Sequence, residues 1–244
     1  MVEELKKITQ LLEKIIIESG DFAVKEQKSI TPDDIKYKEP NNIAPVTRVD
    51  LAIDSFLRQE ILKKFPNHSI ISEEEESITG STNFIWVIDP IDGTRQYMQG
   101  SKNFAITIAI LHRKEIIIGA IYHPSENKLY LAKKGEGVFL NNKKLEPKKT
   151  NSNICYVLKK KLSINMDKEI GNCKESHIGT AALEFVNIAT GSAKMFIYEN
   201  APIWDMAAGT LIVRELGGQV LTFDKKQFNL DDTNLIAYTY GYNS

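Results

Sequence analysis

Residues 84–94 read Phe84-Ile85-Trp86-Val87-Ile88-Asp89-Pro90-Ile91-Asp92-Gly93-Thr94. Five apolar residues in a row, bounded by turn formers, have the pattern of a short buried strand. Pro90 brings no N–H to a ladder, so the strand is predicted to end at Asp89. Two carboxylates, a glycine and a hydroxyl then arrive within six positions. The Ile91 carbonyl between the aspartates is available as a third oxygen ligand. Gly93 lacks the Cβ that would hold an anion away from the backbone, and Thr94 adds a hydroxyl beside its own N–H. Oxygen ligands of this kind suit Mg²⁺, which often completes its shell with water and substrate phosphate. Asp, Pro and Gly also build ordinary surface turns, and the chemistry of the motif alone leaves the two readings level.

The rest of the composition narrows the class. The 244 residues are 42% hydrophobic and 26% charged, as in an ordinary globular protein with ample core. A formal net charge of −1 gives no electrostatic reason to expect nucleic acid or an anionic membrane as partner. No window approaches the run of about 18 apolar residues that spans a bilayer, and the N-terminus lacks the pattern of a secretory signal. Cys155 and Cys173 have neither metal-ligand nor redox spacing. They could join in a disulfide, but cysteine this scarce fits a reducing, cytoplasmic setting better.

Upstream of the motif, Leu5, Ile8, Leu11, Leu12, Ile15 and Ile16 recur at helical spacing, a core-facing stripe that Gly20 is predicted to end or bend. Residues 31–46, with Pro32, Pro40, Pro45 and Asn41-Asn42, read as loop, and Lys36 and Lys38 within it as solvated. Thr47 followed by Asp50 has the form of an N-cap and an acidic third position. The helix it opens continues through Ile53, Leu57 and Ile61, and Asp54 is predicted to face solvent. Glu73-Glu74-Glu75-Glu76 would ordinarily be a self-repelling loop, and a cation would relieve one or two of the four. The sixteen residues from Glu73 to Asp89 allow a loop and a returning strand that bring both to one edge.

Downstream, Arg95–Gly100 reads as a short helical turn whose first N–H groups suit a phosphate. Strands are predicted over Phe104–Leu111 and Glu115–Tyr122, around a turn containing His112, and over Leu129–Ala132, followed by a hairpin from Gly135 to Asn141. No nucleotide P-loop is present. The lysine-rich segment from Lys143 to Lys161 reads as a solvated linker, dividing an N-terminal lobe (1–150) from a C-terminal lobe (151–244). A helical pattern opens at His177 and runs to Gly191; its small first residues, Gly179 to Ala181, suit backbone contact with a substrate. Another helix begins at Trp204-Asp205, where Asp205 alone would merely complement the dipole. The last strand is Asn234–Tyr238.

Trp86 through Thr94 match Trp-x-x-Asp-Pro-Ile/Leu-Asp-Gly-Thr throughout, and here the chain resembles the inositol monophosphatase superfamily. That superfamily also holds bisphosphate nucleotidases, fructose-bisphosphatases and some histidinol phosphatases. Thr47/Asp50, Glu73-Glu74 and Trp204-Asp205 are similar to three further family motifs, in the same order, so the resemblance covers nearly the whole chain. It implies an α/β fold of five layers, α-β-α-β-α, and lithium-sensitive hydrolysis of a phosphate monoester by metal-activated water, with two or three Mg²⁺ ions. In that scheme Glu73, Asp89 and the Ile91 carbonyl hold the activating ion, and Asp89, Asp92 and Asp205 a second. Asp50 and Thr94 orient the water, Glu74 supports Glu73, and the Gly93 and Thr94 N–H groups steady the phosphoryl oxygens. Lys38, Gly179, Thr180, Ala181 and Glu199 are the implied substrate contacts.

The resemblance ranks an inositol monophosphate first as substrate. A 3′(2′),5′-bisphosphate nucleotide is second, and histidinol phosphate third because Arg95 follows Asp-Gly-Thr. An arginine common in inositol phosphatases ahead of Gly179 is absent; Ser176 and His177 stand there. A metal-responsive regulatory protein is the non-enzymatic alternative. The family also implies a homodimer, and a terminal helix after the last strand, where this chain stops at Ser244.

Overall fold

The computed structural model describes residues 2–38, 44–158, 163 and 165–241. Helix α1 (Val2–Gln27) runs well past the predicted break. Gly20 does not end it: a Cβ there would stand 2.4–2.8 Å from the Tyr122 ring and Pro124, so the glycine lets the helix seat on the sheet. The segment read as loop carries two short strands, β1 (Ile35–Tyr37) and β2 (Pro45–Thr47), paired antiparallel. Pro40 and the Asn41-Asn42 pair lie outside the described residues.

The N-terminal sheet follows. Helix α2 (Arg48–Lys64) leads to β3 (Ser69–Ser72), β4 (Phe84–Asp92), the short α3 (Thr94–Met98), β5 (Ala105–His112) and β6 (Glu115–His123). β7 (Lys128–Lys133), β8 (Gly137–Leu140) and β9 (Lys143–Lys144) complete seven strands in sequential order. Side chains alternate along β4 as a pleat requires. Trp86 and Ile88 enter a core with Ile8, Leu12, Ile53 and Leu57 of α1 and α2, whereas Val87 joins the core on the opposite face. β4 also continues through Pro90, against the sequence expectation. Asp89 faces Thr107 and Asp92 faces Ala105, so one extra residue on β4 makes a bulge, and the missing Pro90 N–H falls in it.

The second half of the chain begins with β10 (Ile154–Leu158), α4 (Asp167–Ile170), β11 (Lys174–Ser176) and α5 (Ala181–Ala189). It ends with β12 (Met195–Tyr198), α6 (Ile203–Glu215), β13 (Gln219–Thr222) and β14 (Leu235–Tyr238). Five strands form a sheet in the order β11-β10-β12-β14-β13. Nearly every residue of α5 is buried, and such a helix needs apolar partners on all sides. It finds them with α6 between the two sheets, against Ala109 and Ile121 on one side and Phe196 and Ala237 on the other. Met166 and Ile170 cover the outer face of the second sheet, over Met195, Ile197 and Ile236. The layers are therefore α-β-α-β-α, as expected.

The cysteines differ from the expectation of a reduced pair. β10 and β11 run parallel with Ile154 opposite Lys174, which leaves Cys173 beside Cys155, and the two are joined in a disulfide. No described helix is long and apolar enough to cross a membrane.

Candidate active site

Three elements deliver carboxylates to one place. Glu73 follows β3, and its N–H donates to the Ile88 carbonyl of β4 at 3.2 Å. Asp89 stands near the end of β4, and Asp205 in the first turn of α6. One oxygen from each lies within 4.8 Å of the other two. Burial holds Asp89 well above the usual carboxylate range, and the Glu73 and Asp92 charges add to the effect. Asp205 is raised likewise by burial and then by Asp92. Carboxylates held together out of water repel one another unless protonated or bridged by a cation, and an all-oxygen set selects a hard one.

Asp92 is tied differently. Its buried carboxylate accepts bonds from Thr180 Oγ1 at 2.8 Å, Ala182 N at 2.5 Å and Ala181 N at 3.3 Å. It thus caps the start of α5 from another element, 88 to 90 residues away in sequence. Burial raises it to about 6 despite these bonds. The helix itself starts at Ala181 rather than at His177, because the Thr180 hydroxyl accepts the Leu183 N–H as N-cap.

Asp50 does two things at once. With Thr47 it closes a capping box on α2: Thr47 Oγ1 accepts from the Val49 and Asp50 N–H groups, and Asp50 Oδ2 accepts the Thr47 N–H at 3.0 Å. Its other oxygen lies 3.1 Å from Thr94 Oγ1, which stands equally near the Ile91 carbonyl. Burial raises Asp50 to about 6. Gly93 turns the chain from β4 into α3 with φ +91°, a left-handed conformation that other residues rarely adopt.

The remaining expected residues fall in two groups. A cavity of about 340 Å³ is lined by Glu73, Asp89, Ile91, Asp92 and Asp205, with Gly93, Thr94, Gly179, Thr180 and Ala181 along its wall. Lys38, an implied substrate contact, is not in that lining; its Nζ pairs with Glu73 at 2.9 Å and with Glu74 at 2.8 Å. Burial and the Glu73 charge raise Glu74 to about 7. Glu75 and Glu76 are exposed, as expected of loop charge. Glu199 is buried outside the cavity lining, where its carboxylate accepts the Ser163 N–H at 3.1 Å. The Ala181 N–H, expected to meet substrate, is engaged by Asp92.

Two functional contacts escape sequence reasoning. The Tyr198 hydroxyl donates to Asp205 and lines the cavity; seven residues and a strand-to-helix turn separate the pair. Asp54, predicted to be solvated, is fully buried. It accepts the Ser72 hydroxyl and Arg58 Nε (2.6 Å), while Arg58 Nη2 donates to the Glu76 carbonyl at 2.8 Å. The i, i+4 spacing to Arg58 was the available signal. This network grips the Glu73-Glu74 turn from both sides. Asp54→Ala is expected to weaken Mg²⁺ binding roughly tenfold or more, as loss of groups that orient ligands does, measured by titration calorimetry.

His177 lines the same cavity. Its Nδ1 lies 2.9 Å from Glu184 Oε1, which also accepts the Ile178 N–H at 2.8 Å. The bond to Glu184, partly opposed by burial, raises the histidine's pKa. A raised histidine contributes stability that is complete below its unfolded pKa of about 6.5 and is lost as pH rises through the folded value. In an NMR titration His177 is expected to titrate above the ordinary histidine range, and Glu184→Gln to remove the shift.

Comparison with known proteins decides the family. The model of the inositol monophosphatase family matches residues 4–243. The chain belongs to this family. It is therefore a phosphatase that hydrolyses phosphate monoesters. The "Nus factor SuhB" of Pasteurella multocida is 32% identical over 205 residues, covering 79% of this chain and 77% of that protein. The inositol-1-monophosphatase of Bacillus subtilis is 31% identical over 214 residues, covering 81% and 79%. Among solved structures, inositol monophosphatase-II from Staphylococcus aureus superposes with a TM-score of 0.80 at 28% identity, over 96% of this chain and 90% of that one.

Proposed function

We propose that this inositol monophosphatase family member is a Mg²⁺-dependent phosphatase acting on an inositol monophosphate, with Glu73, Asp89 and Asp205 as the centre of its metal site. The convergence of these three carboxylates from three elements within 4.8 Å carries the reading. The Ile91 carbonyl and Asp92 extend the donor set, since a carboxylate that already accepts three bonds keeps lone-pair capacity. Two or three Mg²⁺ ions bound by these donors would supply Lewis acidity toward water and the phosphoryl oxygens.

The chain's own residues do the remainder. Thr94 Oγ1 takes the proton of the attacking water and passes its own to Asp50 Oδ1, 3.1 Å away. An acid raised to about 6 is suited to accept that proton near neutrality. The Gly93 and Thr94 N–H groups, at the start of α3 on the cavity wall, would donate to the phosphoryl oxygens. Glu74 and Lys38 set the position of Glu73.

A second reading has its own support. His177 stands on the cavity wall with its pKa raised by the bond to Glu184, and its protonated form would complement a substrate with another anionic group, such as a bisphosphate nucleotide. Phosphate release from inositol 1-phosphate, adenosine 3′,5′-bisphosphate and histidinol phosphate separates the readings. The first requires the highest kcat/KM on inositol 1-phosphate. Preference for the bisphosphate, lost in His177→Gln, would establish the second.

A further inference from the structure

A second cavity, of about 430 Å³, lies between the β3–β4 edge of the larger sheet, α6 and the segment after β13, and shares no lining residue with the first. Its volume is within the range of small-molecule sites, roughly 300–1,000 Å³. Ile71, Ile85, Ile116, Ile203, Phe228 and Leu230 form the apolar side of its wall, and Gln227 and Asn229 are among its polar lining.

Two polar residues of α6, Thr210 and Arg214, also line it. Thr210 is fully buried and its hydroxyl has no hydrogen-bond partner, whereas buried hydroxyls are ordinarily satisfied. Arg214, one turn further along the same face of α6, donates to the Phe228 carbonyl at 2.5 Å. No ion pair holds it among the described residues. Burial depresses its pKa. A partly buried guanidinium that meets one neutral acceptor retains much of its need for an anion. The mouth sets a limit on charge: Glu115 and Asp231 stand there, and Lys114 lies 3.9 Å from Asp231. Multiply charged anions are disfavoured by that rim.

We propose that this cavity binds a small organic monocarboxylate, its carboxylate between Arg214 and Thr210 and its apolar body against Ile71, Ile85 and Phe228. Ile71 is two residues before Glu73, Ile85 four before Asp89, and Ile203 two before Asp205.

The test uses the full chain labelled with ¹³C at isoleucine methyls, titrated with phenylacetate and, as uncharged counterpart, 2-phenylethanol. Phenylacetate should shift the Ile71, Ile85 and Ile203 methyls saturably, leave Ile8 and Ile15 in the α1 core unmoved, and bind about tenfold tighter than the alcohol. Arg214→Gln should abolish that ratio, and Thr210→Val should weaken phenylacetate several-fold. The unmoved methyls report whether each variant is folded; if Arg214→Gln is not, the ratio in the unmodified chain and Thr210→Val decide. No saturable shift at millimolar phenylacetate would overturn the proposal. So would equal binding of acid and alcohol, or a preference that survives in folded Arg214→Gln.

Discussion

Asp89→Asn is expected to lower phosphate release by about three orders of magnitude, ~4 kcal/mol in the barrier, while raising the melting temperature of the metal-free protein. The two effects share one cause. Asp89 is buried, and Glu73, Asp92 and Asp205 all push its pKa up through their charges. In the absence of a cation its ionised form is therefore a source of instability. Asparagine keeps the shape and an oxygen acceptor for the Ile91 N–H, which Asp89 Oδ1 now accepts at 3.0 Å. It removes the charge on which metal affinity depends. A purely structural role for Asp89 requires the opposite result, lower stability with activity tracking the folded fraction. Melting curves in a chelator and initial rates in Mg²⁺ on the same preparation distinguish the two.

The second large effect is a pH-dependent stabilisation by metal. Asp50 and Asp92 are raised to about 6, Glu74 to about 7, and Asp89 and Asp205 are held well above the usual carboxylate range, in each case first by burial. For acids raised in the folded state the sign is the reverse of the salt-bridged case. The unfolded chain ionises first, near pH 4, so the metal-free fold loses stability from about pH 4 upward until the folded groups ionise in turn. Mg²⁺ requires the ionised carboxylates, and its binding releases protons. At a concentration one hundred times its Kd it adds about 2.7 kcal/mol, or roughly 5–10 °C in Tm for a chain of this size. That increment is expected near pH 8 and should shrink toward zero near pH 5. Calorimetric melts at both pH values, with and without Mg²⁺, measure it. An increment independent of pH would place the bound ion away from these acids.

Much of this arrangement was legible in the chain because its signals are local. The apolar run before Asp89 marks β4, and Thr47 with Asp50 marks the start of α2 through a capping box that involves only neighbours. Pairing β3 with β4 then brings Glu73 to Asp89, as the residue count between them allowed. What escaped depends on partners distant in sequence. Asp54 reads as a solvated helix residue until Ser72, eighteen positions on, meets it. Pro90 ends a strand by rule, yet a bulge absorbs its missing donor. Asp92 carries no sign that its oxygens cap α5, and the joined cysteines carry none that β10 and β11 run side by side. The five-layer order came from the family resemblance, since periodicity identifies helices and strands but not how two sheets stack.

Phosphate-ester hydrolysis should depend on a cation held by Glu73, Asp89 and Asp205. Its most direct measurement is initial phosphate release from inositol 1-phosphate after exhaustive chelation, followed by titration with Mg²⁺. Release should be negligible from the chelated protein and should recover saturably with Mg²⁺, but not in Asp89→Asn. Full activity in the chelated protein, or recovery that Asp89→Asn shares, would contradict it.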